Sequence, residues 1–286
     1  MNERFFWRKM SKKDVFRVED LLRDMEDDCV TACGRYLTRE PSTDSVWMLC
    51  GVKNEFIAIL VNSRSTLIPV LCGMNEIPSP LFLKRFFRLK KIHSVQGLKN
   101  EVLVLEKYME NFGKRISEII DYDLMCIDRP PVNRSPVNKR NLQSANIVLR
   151  VPKLTDLIAL APLQAAYEQE EVLHKGSVFS PDASRINLAN IIKTGRILAA
   201  ELNGRLVGKI NVSAVSFTRY QVGGVYVHPD YRGLGIARRM AAEFIASLTG
   251  EGRGVTLFVK KSNLSARRLY TGLGFTVRGD YRITYY

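Results

Sequence analysis

Gly223-Gly224-Val225-Tyr226-Val227-His228-Pro229-Asp230-Tyr231-Arg232-Gly233-Leu234-Gly235-Ile236-Ala237-Arg238-Arg239 is the stretch whose reading decides the fold. Val225, Tyr226 and Val227 are β-branched or aromatic and read as a strand end, which Pro229 stops because it lacks a ladder N–H. After Asp230 and Tyr231, the six residues Arg232, Gly233, Leu234, Gly235, Ile236 and Ala237 fit R-x-x-G-x-A and open a helix expected over 234–248. Glycine lets main-chain N–H groups approach an anion with no Cβ in the way, at the positive end of a helix dipole. The stretch is therefore expected to cradle a pyrophosphate, with Arg238 and Arg239 adding charge beside it.

A glycine turn alone explains itself equally well as a strand-to-helix connection, so a second motif matters. Residues 263–275 give N-x-x-A-x-x-L-Y-x-x-x-G-F, which puts Asn263, Ala266 and Tyr270 along one side of a short helix. On the two motifs together, residues 145–286 resemble the GNAT acyl-CoA-dependent N-acyltransferase superfamily. The resemblance implies that Arg232 to Ala237 hold the pyrophosphate of acetyl-CoA through backbone N–H groups, with Arg238 alongside and Asn263 helping to hold the cofactor arm. It implies that Val225, Tyr226 and Val227 pair with pantetheine, and that an N–H near Val227 polarises the thioester carbonyl. It also implies that Tyr270 protonates the departing thiolate. One departure stands out: residues 221–227 contain no carboxylate where such enzymes often carry a base. Glu168, Glu170, Glu171 and His174, at the end of a helix expected over 154–172, are the nearest group for an amine, and Glu168 and Glu171 are the candidate substrate contacts. His228, beside the turn, is a weaker candidate.

Around these motifs the second half reads strand (146–151), helix, hairpin, strand, helix, strand, helix and two final paired strands (275–277 and 281–286). Asn203-Gly204 is the strongest hairpin signal in the chain. The first half reads as a helix from 12 or 14 to 36, strands at 45–51, 56–62 and 67–72 with a turn at Lys53-Asn54-Glu55, helices at 81–89 and 99–112, and a closing strand at 122–128. Both halves thus offer a helix followed by a hairpin, and the first has no R-x-x-G-x-G/A counterpart. A degenerate repeat without catalytic parts is one reading; an accessory domain that walls the acceptor side or mediates assembly is the other. Residues 129–144 contain three prolines and no acid and read as a linker, giving domains at 1–128 and 145–286. The expected class is α/β (α+β): a GNAT-like mixed, splayed sheet flanked by helices, preceded by a smaller α/β domain.

Bulk properties bound the function. Of 286 residues, 46% are apolar and 25% charged, as in a globular protein, and no apolar run approaches the ~20 residues a membrane helix needs. The charged N-terminus has no apolar signal core, so a cytoplasmic location is expected. Five cysteines, odd in number and without a C-x-x-C pair, argue against disulfides and against a metal site. The net charge of +14 lies mostly in the second half and linker, which suits a polyanionic ligand. The basic residues are not interleaved with aromatics as on a base-stacking surface, which argues against nucleic acid. The expectation is an N-acetyltransferase moving an acetyl group from acetyl-CoA to a primary amine, small molecule or protein, by direct attack in a ternary complex. A non-catalytic acyl-CoA-binding or sensing protein is the alternative, and a homodimer is left open.

Overall fold

The computed structural model describes residues 5–40, 42–51, 56–78, 80–128 and 147–286; the expected turn at 53–55 and the linker at 129–144 lie outside them. Two runs of the same element order follow one another. The first has β1 (Phe6–Lys9), α1 (Val15–Asp24), α2 (Glu26–Leu37), β2 (Ser45–Cys50), β3 (Phe56–Ser63), β4 (Thr66–Val70), α3 (Pro80–Leu89), β5 (Ser94–Leu98), α4 (Lys99–Asn111) and β6 (Glu118–Ile127). The second has β7 (Ile147–Arg150), α5 (Leu157–Tyr167), α6 (Pro181–Lys193), β8 (Ile197–Leu202), β9 (Arg205–Val215), β10 (Arg219–Val227), α7 (Ile236–Gly250), β11 (Gly254–Lys260), α8 (Leu264–Thr271) and β12 (Thr276–Tyr285).

The repeat extends to side chains. Arg8 grips Asp14 with two 2.6 Å bonds, and Arg150 grips Asp156 at 2.8 and 2.9 Å, each pair joining the first strand of its half to the turn before the first helix. In each case the same carboxylate also accepts a backbone N–H three residues back, from Ser11 or Lys153.

All twelve strands form one sheet in the order β1-β2-β3-β4-β5-β12-β6-β11-β10-β9-β8-β7. The halves have exchanged their last strands: β6 lies between β11 and β12, while β12 lies between β5 and β6. Met125 and Ile127 of β6 accordingly pack into the core of the second half, and Tyr286 packs against that of the first. The strand expected to close the first half therefore completes the second.

Other differences are local. The single helix expected to residue 36 breaks at Met25 (φ −100, ψ 8), which lets Glu26, Asp27 and Asp28 head a new helix. The two expected final strands are one, carried past Arg278 by a bulge between Val277 and Gly279. Helix α6 was not anticipated, although Ser180 caps it with Pro181 at its first position, a legible start signal. The expected long helix ends at Tyr167 and continues as one π turn, Glu168–Val172.

Both halves contain a parallel strand pair that parts along its length. In the second half β10 and β11 register from Arg219↔Gly254 to Val222↔Leu257 only. In the first, β4 and β5 register at Thr66↔Ser94 and Leu67↔Val95 only. There the opening is plugged: the buried Glu101 carboxylate accepts the Leu71 N–H at 2.7 Å and those of Cys72 and Gly73.

Candidate active site

In the second half the opening stays clear and forms a cleft of about 1380 Å³, lined by β10, β11, the glycine turn, α8 and, at its far end, α2 of the first half. Past Val222 the free edge of β10 has no strand partner in register on the β11 side, so its N–H and C=O groups face the cleft. The strand bulges over Gly223–Tyr226 relative to β9, and Gly224 sits there at φ +61. Only glycine fits: a Cβ would lie 1.9 Å from Asn211 Oδ1 and 2.8 Å from Lys209 Nζ. Lys209, wholly buried, donates to the Gly224 carbonyl at 2.9 Å and to Asn211 Oδ1 at 3.1 Å, and stands 4.7 Å from the Tyr167 ring centre. Burial pushes its ammonium down to about 7.

The turn that follows carries Gly235 in the left-handed region (φ 76) as the N-cap of α7, which turns the first helical N–H groups outward without a side chain over them. A Cβ on Gly233 would meet nothing within 4 Å, so the space above the turn is open. Open space, orphan N–H donors and a fifteen-residue helix behind them suit a pyrophosphate.

Residues 163–275 match the family model "Acetyltransferase (GNAT) family". Those residues are a GNAT domain. Solved structures resembling the whole chain include a GCN5-related N-acetyltransferase from Sphaerobacter thermophilus (19% identity, 99% of this chain and 96% of that one, TM-score 0.65). A GNAT-family acetyltransferase from Colwellia psychrerythraea (12%, 98% of each, TM-score 0.60) and a tandem GNAT protein from the clavulanic acid biosynthesis pathway (14%, 98% of each, TM-score 0.57) align likewise. At these identities the likeness is one of fold, and it extends over both halves: a mixed α/β, splayed-sheet GNAT-like architecture throughout. No curated protein matches the chain.

Within the GNAT domain, Val225, Tyr226, Val227, Arg232, Gly233, Gly235, Ile236, Ala237, Arg238, Asn263 and Tyr270 all border the cleft. Leu234 is exposed at the turn. The two arginines are already engaged. Arg232 donates to the Val227 carbonyl at 3.0 Å and pairs with Glu170 at 2.8 Å, and Arg238 donates to the Gly272 carbonyl at 3.2 Å. The Asn263 side chain caps α8 by accepting the Ala266 N–H at 3.0 Å. Tyr270 is buried, and burial raises its pKa, so the hydroxyl keeps its proton.

Of the acidic group, Glu171 lines the cleft and pairs with Lys260 at 3.1 Å. Glu168 does not line it: its Oε1 accepts from Gln164 (2.7 Å) and Asn187 (3.2 Å), bracing α5 against α6. His228 faces Asp230 and Tyr231, and His174 stacks on Tyr285 at 4.1 Å; neither borders the cleft. Sequence reasoning missed Tyr122, Tyr167, Tyr281 and Tyr285, which converge on the cleft from three elements far apart in the chain, β6, α5 and β12. It also missed Lys209, whose charge within the apolar run Leu206–Val212 was a readable sign of a buried polar role.

Proposed function

We propose that this protein transfers an acetyl group from acetyl-CoA to an amine by direct attack, with both substrates bound in the cleft of the GNAT domain. The observation that carries the reading is the juxtaposition of an open glycine turn, an unpaired β10 edge and the Tyr270 hydroxyl around one cleft. When bound there, acetyl-CoA supplies a thioester. The turn and the first N–H groups of α7 hold the pyrophosphate, and the β10 edge orients the arm through main-chain bonds. N–H groups near the bulge, held by Lys209 and Asn211 beneath Gly224, face negative charge on the carbonyl oxygen. Glu171, electrostatically coupled to Tyr122, Tyr167 and Tyr270, draws the acceptor's nitrogen to the same place. Tyr270 keeps its proton at working pH and donates it to the sulfur as the carbon–sulfur bond breaks, and the phenol regains a proton from solvent. Nitrogen forms the new bond to the carbonyl carbon, the carbon–sulfur bond breaks, and the nitrogen's surplus proton leaves through solvent. A cytoplasmic location and a division of roles between residues 1–128 and 145–286, two halves joined through their exchanged strands, belong to the same proposal.

Release of free thiol from acetyl-CoA across a broad amine panel tests it. Amine-dependent release is expected; tight acetyl-CoA binding with no release for any amine would leave the sensing alternative.

A further inference from the structure

We propose that the far end of the cleft is an anion subsite in which Arg35 of α2 and Arg64 of the β3–β4 turn bind a carboxylate or phosphate carried by the acceptor amine. This rests on the acyl-transfer reading, and it names the acceptor's chemical class. The cleft runs from the glycine turn past Glu171 and the tyrosines to a wall made by the first half, where Thr31, Gly34, Arg35, Thr38 and Arg64 border it. Arg35 and Arg64 also border an adjoining basin of about 440 Å³ that Lys90 and Lys91 line as well.

Among the described residues, the two guanidiniums are the cleft's unspent cations. Arg232 has Glu170, Lys260 has Glu171, and Arg238 has a helix-end carbonyl. Neither the Arg35 nor the Arg64 guanidinium makes an ion pair or hydrogen bond among the described residues. Asp44 is the carboxylate that favours the Arg35 charge, but its oxygens are occupied. Oδ2 accepts the Glu40 N–H at 3.0 Å, and Oδ1 accepts the Arg64 N–H at 3.3 Å and the Thr43 hydroxyl at 3.4 Å. Glu40 lines the basin and not the cleft. Burial and the neighbouring Arg64 both lower the Arg35 pKa, as expected of two cations brought together without the anion that would satisfy them. Guanidinium forks recognise carboxylate and phosphate in the same way, so the shared chemistry is an oxyanion.

The wall is built to hold position. Helix α2 is tied to the GNAT domain by Glu26, which accepts the Thr218 N–H at 2.7 Å and hydroxyl at 2.6 Å as well as the Ser216 hydroxyl. Asp27 pairs with Arg219, Asp28 with Arg278, and Thr31 donates to Gln221 on β10 at 2.9 Å. Cys29 (φ −130, ψ 32) kinks α2 between the three acids and Thr31, so it is the Thr31 bond to β10 that fixes the second segment, on which Arg35 follows by one helical turn.

Isothermal titration of the CoA-loaded protein tests this without turnover. The probes are amino acids from glycine to ε-aminohexanoate, each against its amide, and aminoalkyl phosphates against the matching aminoalcohols. At the best-fitting chain length the anionic member is expected to bind about tenfold more tightly or better, as a charge-assisted pair provides. Which series wins tells carboxylate from phosphate. Arg35→Gln and Arg64→Asn, the latter suited to the left-handed turn, should each erase most of the preference while acetyl-CoA affinity, the control for folding, is unchanged. Arg35→Lys should retain part of it. Equal binding of anionic and neutral members, no binding of any, or a preference that survives the double variant overturns the proposal. An arginine-dependent preference without thiol release from any amine would sink the acyl-transfer reading and leave the anion subsite standing.

Discussion

Tyr270 and Glu101 are both buried groups whose pKa is raised by loss of water, and they serve opposite ends. Tyr270 stays a phenol at every working pH, which a general acid toward a thiolate requires; Tyr270→Phe is expected to lower kcat by about a hundredfold. Acetyl-CoA affinity should stay near the wild-type value, since the ring remains, and unchanged turnover would remove Tyr270 from the mechanism. Glu101 fills the first half's strand opening as a built-in acid against three N–H groups, and burial pushes it up to about 7. Its folded pKa lies above its ordinary 4.5, so its contribution to stability is full below 4.5 and is lost as pH rises through about 7. Denaturant unfolding should therefore show stability falling over that window, and Glu101→Gln should flatten the fall by about 3 kcal/mol. A wild-type profile that does not fall there would contradict the reading.

Strand β10 is the element on which the proposed chemistry depends, because one strand provides the parallel pairing, the bulge and the free edge. The bulge is held from beneath by Lys209 and Asn211, and it is intolerant of any side chain at Gly224. Gly224→Ala combines a positive φ with a collision at Asn211 Oδ1, and we expect it to cost about 3 kcal/mol in urea unfolding. It should also weaken acetyl-CoA binding, measured by titration; wild-type affinity in that variant would show that the bulge does not shape the cofactor side. The end of this strand, the turn and α7 were legible from the sequence because proline and glycine mark local backbone geometry. The bulge was not, since the collision that defines it comes from β9.

At the scale of the molecule, the exchange of β6 and β12 binds the halves into one sheet and one set of cores. Taking residues 147–286 alone would remove the strand between β11 and β12, leaving two edges and part of the core bare. That fragment is expected to be insoluble when made alone and to become soluble when co-expressed with residues 1–128. For the whole chain, tryptophan fluorescence, which reports Trp7 and Trp47 in the first half, and far-ultraviolet circular dichroism should give coincident unfolding curves. Separate transitions, or a well-folded isolated fragment, would show that the exchange is not needed for stability.

By itself the sequence determined the parts whose signals are local: the glycine turn and its helix, the Asn203-Gly204 hairpin, the Asn263-to-Tyr270 helix and the mixed α/β class. The tertiary structure alone decided that β6 completes the second half, that α2 walls the cleft, and that Glu171 faces it while Glu168 braces two helices. These facts depend on pairings between residues more than a hundred positions apart, and on which side of one π turn a carboxylate emerges. Periodicity records which face of an element is buried; it carries no record of what that face is buried against.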